Sequence, residues 1–423
     1  MSAFRLEIPT VKSLMVAILV ILLTIINCKA EDWPWFLGPN RNATSNETGL
    51  MKSWPQSGPE VLWTTELGIG FGGVAVHSGE VYILDRVKGK QDVLRCLSLA
   101  NGQEQWRFAY DAPGRISYPG SRSHPAVDEK HIFILGPFGD FHCISKETHK
   151  PVWKKNIIKD FGGRTPHWAM SQSPAIYKDK VIVAPATQSV GMVAYDRQSG
   201  KILWKSQVFD GNLAYTSCMV CTIEGVDQIL YTTTKQTVGV DANNGHILWR
   251  NNDWSCRIPT TSPMLVGKNS VLIVGGYGAG AVMFRIEKRN GLFTSTTLFK
   301  TTECNCQVHQ PLLYEGHLYI NGNDKTFRKG MMCMDLEGNV KWETGRNPGF
   351  EFGGLLLADD MIYIVDGTKG DLCLVKPDPS GYKEISRVNL LSGRHIWATL
   401  ALIDGKLLLR DQTKLRCVDV KAK

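Results

Sequence analysis

Tryptophan spacing constrains this chain more than any other feature. Trp63, Trp106, Trp153, Trp204 and Trp249 follow one another at intervals of about 43 to 51 residues, a period that belongs to β-propellers rather than to helical solenoids of about 34 residues. A polar turn carrying glycine stands a few residues before most of them: Asn101-Gly102 before Trp106, Ser199-Gly200 before Trp204, Asn244-Gly245 before Trp249 and, further on, Glu337-Gly338 before Trp342. Lys146-Glu147 before Trp153 is the same ending without its glycine.

Between these markers the chain alternates in short apolar runs broken by turns, as half-buried strands require. The third unit reads Ser173 to Tyr177, Val181 to Ala184, Met192 to Asp196 and Lys201 to Trp204. Four strands per period make one blade, and the order restarts near Phe71, Ser123, Gln172, Thr216, Thr261, Gln310, Gly353 and Ala398. The fifth and seventh units carry Leu298-Phe299 and Arg387-Val388 in place of the tryptophan, and the eighth ends after three strands. Glu60 to Thr65 has strand character and no blade before it, so it is expected to complete the last blade and leave the ring without open edges. The predicted fold is an all-β, eight-bladed propeller of four-stranded blades, with the tryptophans packed between neighbours as structural residues.

Composition agrees. With 43% hydrophobic and 21% charged residues, the chain is neither disordered nor a coiled coil, and its 41 glycines lack a collagen period. Arg5 and Lys12 precede an apolar run from Leu14 to Ile26, too short for a bilayer core of about 30 Å. It reads as a signal peptide over residues 1–30 with cleavage after Ala30, leaving residues 31–423 as one exported domain, periplasmic or extracellular, with no membrane span. An uncleaved anchor or a lipidated Cys28 are the other readings of this segment. The formal charge of +8 spread over so long a chain does not argue for nucleic acid.

The endings Ala194-Tyr195-Asp196…Gly200…Trp204 and Gly239-Val240-Asp241…Gly245…Trp249 resemble those of the pyrroloquinoline-quinone-like (PQQ-like) repeat propellers, a quinoprotein-like superfamily. The opening run Asp32 to Arg41 is similar to the leader of secreted planctomycete-type members. The resemblance covers nearly all of residues 32 to 421 and implies the fold, whereas activity varies within the family from quinone-dependent dehydrogenases to binding scaffolds such as those of outer-membrane protein assembly. Catalytic members would hold the flat cofactor between a tryptophan and a disulfide of adjacent cysteines, with Ca²⁺ on Glu, Asn and Asp. This sequence has no adjacent cysteine pair, no C-x-x-C-H haem motif and few carboxylates near the expected channel mouth, Glu303 and Glu351 being the plainest. No cofactor is therefore expected; PQQ with Ca²⁺ belongs to the alternative, an oxidoreductase acting on alcohols or sugars.

Cys96, Cys143, Cys333, Cys373 and Cys417 occupy matching repeat contexts and are expected as small buried residues, one per blade and too far apart to pair. Cys218 and Cys221 read as strand thiols, while Cys304-Asn305-Cys306 is either a metal or disulfide pair or a loop without a role. The segments before each blade start should approach the axis. They bring together the candidate ligand-binding residues Arg122, His124, His167, Trp168, Gln172, Arg257, His309, Gln310, Glu351, Arg394, His395 and Trp397. Arginine forks suit carboxylate or phosphate and aromatic faces suit a sugar ring, so the expectation is a cationic, aromatic funnel. It would take a small anionic or carbohydrate-like ligand, in a protein that binds that ligand or an envelope protein and has no chemistry of its own.

Overall fold

The computed structural model describes residues 31–324 and 326–423; the predicted signal peptide and its cleavage point at Ala30 lie outside them. Eight antiparallel sheets follow one another along the chain. The innermost strands are Ala75–His77, Ala126–Val127, Ala175–Tyr177, Met219–Ile223, Met264–Val266, Leu312–Tyr314, Leu355–Ala358 and Ala401–Ile403. They are short, and five of the eight are buried throughout, Met219–Ile223, Met264–Val266 and Leu312–Tyr314 being buried in part. The outermost strands alternate in and out, as Glu104–Asp111 does with every second side chain exposed. That gradient is what a blade with its inner edge at an axis and its outer edge in water must show.

The ring closes as expected. Glu60–Glu66 pairs antiparallel with Lys414–Asp419, setting Trp63 opposite Cys417 and Thr65 opposite Leu415. A second device reinforces this seam. Arg410, fully buried in the eighth blade, donates from Nη1 to Gly72 O at 3.0 Å and Leu84 O at 3.4 Å and from Nη2 to Gly68 O at 3.3 Å, all in or just before the first blade.

The glycine-tryptophan ending joins each blade to the next. The Trp153 indole N–H donates to Arg197 O at 3.0 Å in the following blade, Trp63 to Leu99 O at 2.9 Å and Trp204 to Ala242 O at 3.2 Å. The glycine of that next blade lies under the ring: a Cβ on Gly200, whose φ is +67°, would sit 2.7 Å from the Trp153 ring. Gly200→Ala therefore meets both a left-handed backbone and an occupied space. We expect it to cost about 2 to 3 kcal/mol by chemical denaturation; a loss below about 0.5 kcal/mol would contradict this account. The second blade lacks the glycine. There His149 adopts φ +58° and stacks flat on Trp106, centroids 4.3 Å apart and planes at 13°. Phe299 and Val388 take the tryptophan's place in the two blades without one, where a Cβ added to Gly338 or Gly58 would come within 2.7 Å and 2.6 Å of them.

The leader is part of the propeller. Trp33 exchanges backbone hydrogen bonds with Val76 at 3.0 and 2.8 Å, Val127 N–H donates to Pro34 O at 2.9 Å, and Leu357 N–H to Ala43 O at 3.0 Å. Arg41 donates to Ile176 O at 2.9 Å, and Thr44–Ser45 adds a fifth, parallel strand beside Leu357–Ala358. The segment thus crosses the axis on the innermost strands of four blades. The ten cysteines of the described residues are unpaired. Cys304 and Cys306 are buried, and the Cys306 Sγ donates to His309 O at 2.9 Å, which makes this pair core packing; burial pushes the Cys306 thiol up to about 12.

Candidate functional site: an axial cavity

Two residues before the innermost strand, each blade presents a short polar or glycine residue at the axis. Their hydrogen bonds run around the ring. Gly73 N–H donates to His124 Nε2 at 2.9 Å, His124 N–H to Ser173 Oγ at 3.0 Å, Ser173 N–H to Ser217 Oγ at 2.9 Å and Ser217 N–H to Ser262 Oγ at 2.8 Å. Gln310 Nε2 continues the collar to Ser262 O at 2.7 Å and Pro263 O at 3.1 Å. The side chain of one blade satisfies the backbone of the previous one where no strand partner exists, which a buried N–H requires. One residue earlier, the bonds stay within the blade: Ser123 reaches Leu135 O, Thr216 reaches Thr232 O at 3.0 Å, and Thr261 reaches Val274 O.

Against this collar lies a cavity of about 180 Å³, with Phe36 and Leu37 of the leader in its wall together with collar residues and an aromatic rim. On one side of the rim Trp397 packs against Phe71 at 5.3 Å, Tyr118 at 5.4 Å, Phe352 at 5.3 Å and His395 at 4.8 Å between centroids. Its indole N–H donates to Glu351 Oε2 at 2.6 Å, an oxygen that also accepts from Phe352 N–H at 2.8 Å. Trp168 and Tyr215 meet at 5.7 Å elsewhere on the rim.

Six of the twelve candidate residues, Arg122, His124, Trp168, His309, Gln310 and Trp397, line this cavity. Glu351 and His395 line, again with Trp397, a second cleft of about 1070 Å³ against the sixth and seventh blades. The other four line neither. Gln172 is an internal brace, its amide giving to Ala184 O and taking from Ala184 N–H, both at 2.8 Å. His167 and Arg394 are exposed, and Arg257 is exposed with its guanidinium 5.0 Å over the Tyr277 ring.

Of the three arginines expected to make the funnel cationic, Arg122 stands in the cavity wall, while Arg257 and Arg394 do not. Arg122 donates to Gly120 O at 3.0 Å, Ser117 O at 2.9 Å and Tyr118 O at 2.7 Å. Its guanidinium folds its own loop, and burial lowers its pKa to about 10. Two wall histidines, His124 and His309, are neutral. Burial holds His124 down to about 3 and His309 to about 4. Nε2 of His124 takes the Gly73 N–H and lies 2.6 Å from Thr399 Oγ1, which leaves the ring proton on Nδ1. His309 Nε2 faces Phe352 O at 2.9 Å and so carries its proton there.

Phe36, Leu37, Thr260, Ser262, Tyr277, Gln307 and Thr399 belong to the wall and escaped the sequence reading. Two signals could have found some of them: serine or histidine before proline at a fixed offset from each blade start (His124-Pro125, Ser173-Pro174, Ser262-Pro263), and an aromatic leader with no blade of its own.

A family model described as outer membrane protein assembly factor BamB, PQQ_2, matches residues 89–321. The crystal structure of BamB from Moraxella catarrhalis superposes with a TM-score of 0.60 at 14% identity, covering 86% of this chain and 98% of that one. Quinohemoprotein alcohol dehydrogenase from Comamonas testosteroni gives 0.61 at 12% identity, covering 93% and 81%. At such identities the likeness concerns the fold alone. In sequence, the 1-butanol dehydrogenase (quinone) of Thauera butanivorans is 26% identical over 119 residues, 28% of this chain and 18% of the relative. The match thus spans under a fifth of that relative's length.

Proposed function

The chain belongs to the PQQ_2 family, described as outer membrane protein assembly factor BamB, and from that premise we propose that it is an exported binding module whose axial cavity holds a small ligand without transforming it. The signal-peptide pattern of residues 1–30 supports export, and no helix among the described residues is long and apolar enough to cross a membrane.

One observation carries the binding reading. The cavity wall joins aromatic faces to amide and hydroxyl groups and contains no carboxylate or thiol, while its titratable groups are already engaged. The pair that most resembles a nucleophile and its base, Thr399 with His124, is a poor one. The nitrogen facing the hydroxyl already accepts a backbone N–H, and its affinity for a proton is depressed far below neutrality.

The quinone-dependent alternative fits the wall badly. Ca²⁺ takes six to eight oxygen ligands, largely carboxylate, and among the described residues no cluster of three His, Cys, Asp or Glu could hold a metal. Glu351, the carboxylate nearest the rim, is committed to Trp397 and Phe352, and a quinone's acidic groups would find the Arg122 guanidinium turned to its own loop.

A thermal-shift screen of sugars, polyols and organic anions against the purified domain tests the proposal. At least one class should raise the melting temperature, and Trp397→Ala should reduce the apparent affinity at least tenfold by removing a stacking face. Dye-linked oxidation of an alcohol or sugar on adding quinone and Ca²⁺ would overturn the reading, as would silence across the screen.

A further inference from the structure

We infer that the ligand of this cavity is a neutral hydroxylated ring of monosaccharide size, bound through donors that it supplies itself. This deepens the binding reading above and rests on it. The argument comes from what the wall leaves unpaired. Among the buried side-chain polar atoms without a hydrogen-bond partner are Thr260 Oγ1, Gln307 Oε1 and Gln310 Oε1, and all three residues line the cavity. Gln307 is 8% exposed and Gln310 5%.

The orientation of Gln310 is fixed by its partners. Its Nε2 lies within 3.1 Å of two carbonyl oxygens, Ser262 O and Pro263 O, and so must be the NH₂ end. The other end is therefore an acceptor. Gln307 bonds through one end of its amide to Tyr277 Oη at 2.9 Å, a hydroxyl that gives as well as takes, and turns its other end to the cavity without a partner. These three atoms come from two adjacent connectors, 254–261 and 303–310, so they form one side of the cavity.

An unpartnered buried acceptor selects for a donor. The Gln310 oxygen repels a carboxylate or phosphate, and the Thr260 hydroxyl and the Gln307 amide pair readily with O–H groups, which both give and take; together they ask for a ligand carrying several hydroxyls. An anion would find one cation in the wall, Arg122, with three of its five N–H groups folding its own loop, and two neutral histidines, His124 and His309. Aromatic faces from Trp168, Phe352 and Trp397 offer stacking surface to the C–H face of a sugar ring. A volume of about 180 Å³ is enough for one ring.

Calorimetric titration with glucose, galactose, N-acetylglucosamine and, as the anionic counterpart, gluconate tests the inference. At least one neutral sugar should bind, and gluconate at least tenfold more weakly. Thr260→Val keeps the shape and removes an atom that bonds to nothing in the protein, so its melting temperature should stay within about 2 °C of the parent while sugar affinity falls roughly tenfold, a change of about 1.4 kcal/mol. Gln307→Met should act in the same direction. Tighter binding of gluconate than of any neutral sugar, or full affinity in Thr260→Val, overturns the donor assignment and leaves the binding reading standing. Absence of binding by every probe, with the wider screen also silent, removes both.

Discussion

Trp63→Ala is expected to lower the free energy of unfolding by about 4 kcal/mol, near the top of the range for core tryptophans. Trp63 is buried to 7% exposure, donates its indole N–H to Leu99 O at 2.9 Å and covers Gly102 of the first blade. It also sits on the closing strand: residues 67–74 lead from Glu60–Glu66 directly into the first blade, so the ring is held shut by the pairing of that strand with Lys414–Asp419 inside the eighth blade. Arg410→Leu should cost about 3 kcal/mol at the same seam, because it strips donors from the buried carbonyls of Gly68, Gly72 and Leu84. Trp106→Ala provides the comparison. Trp106 is half-buried and stacks on His149 on a strand that takes no part in closure, and its loss should cost about half as much. Chemical denaturation with matched m-values tests this, and limited proteolysis of Trp63→Ala should cut first between residues 46 and 70. Equal costs for Trp63 and Trp106 would mean that closure contributes nothing beyond local packing.

The seam was legible because a propeller's arithmetic exposes it: eight restarts with three strands in the last leave one strand owing, and Glu60 to Thr65 stood unclaimed. The glycine before each tryptophan was legible as a turn. What it packs against was not, because Gly200 meets Trp153 of the previous unit rather than Trp204 of its own. Three-dimensional neighbours at one-repeat separation look like unrelated positions in a linear scan. The same effect hid the collar, where Ser217 matters because Ser173 N–H needs it. Arg122 shows the opposite failure. Its residue type and position suggested a free fork, yet three carbonyls of its own loop lie within 3.0 Å, and side-chain identity cannot say whether a guanidinium points inward to fold a loop or outward to a ligand. The leader's crossing of the axis had no periodic signature, so residues that wall the cavity read as a prefix.

Acidification from pH 7 to pH 5 is expected to destabilise the domain by about 4 to 5 kcal/mol. Three histidines are buried and held neutral, His124 with a pKa lowered to about 3 and His142 and His309 to about 4, burial being the main cause in each. In the unfolded chain each should titrate near the usual 6.5. Above pH 7 both states are unprotonated and the groups contribute nothing. As pH falls below 6.5 the unfolded chain takes up protons that the native state refuses, so stability declines, by about 2 kcal/mol per histidine between pH 7 and pH 5. Asp92 and Glu351, raised chiefly by burial, work in the opposite sense and offset part of the sum. The depressed carboxylates Asp335 and Asp378 lose their contribution only below the ordinary aspartate range and fall outside this window. His142 isolates the effect, since it lies away from the cavity, between Phe108 at 5.5 Å and Tyr110 at 4.3 Å, with Nδ1 unpartnered. His142→Phe should match the parent within about 1 kcal/mol at pH 7 and exceed it by about 2 kcal/mol at pH 5. An unchanged pH slope in that variant would show that His142 is charged in the native state, and the burial argument for the other two would lose its support.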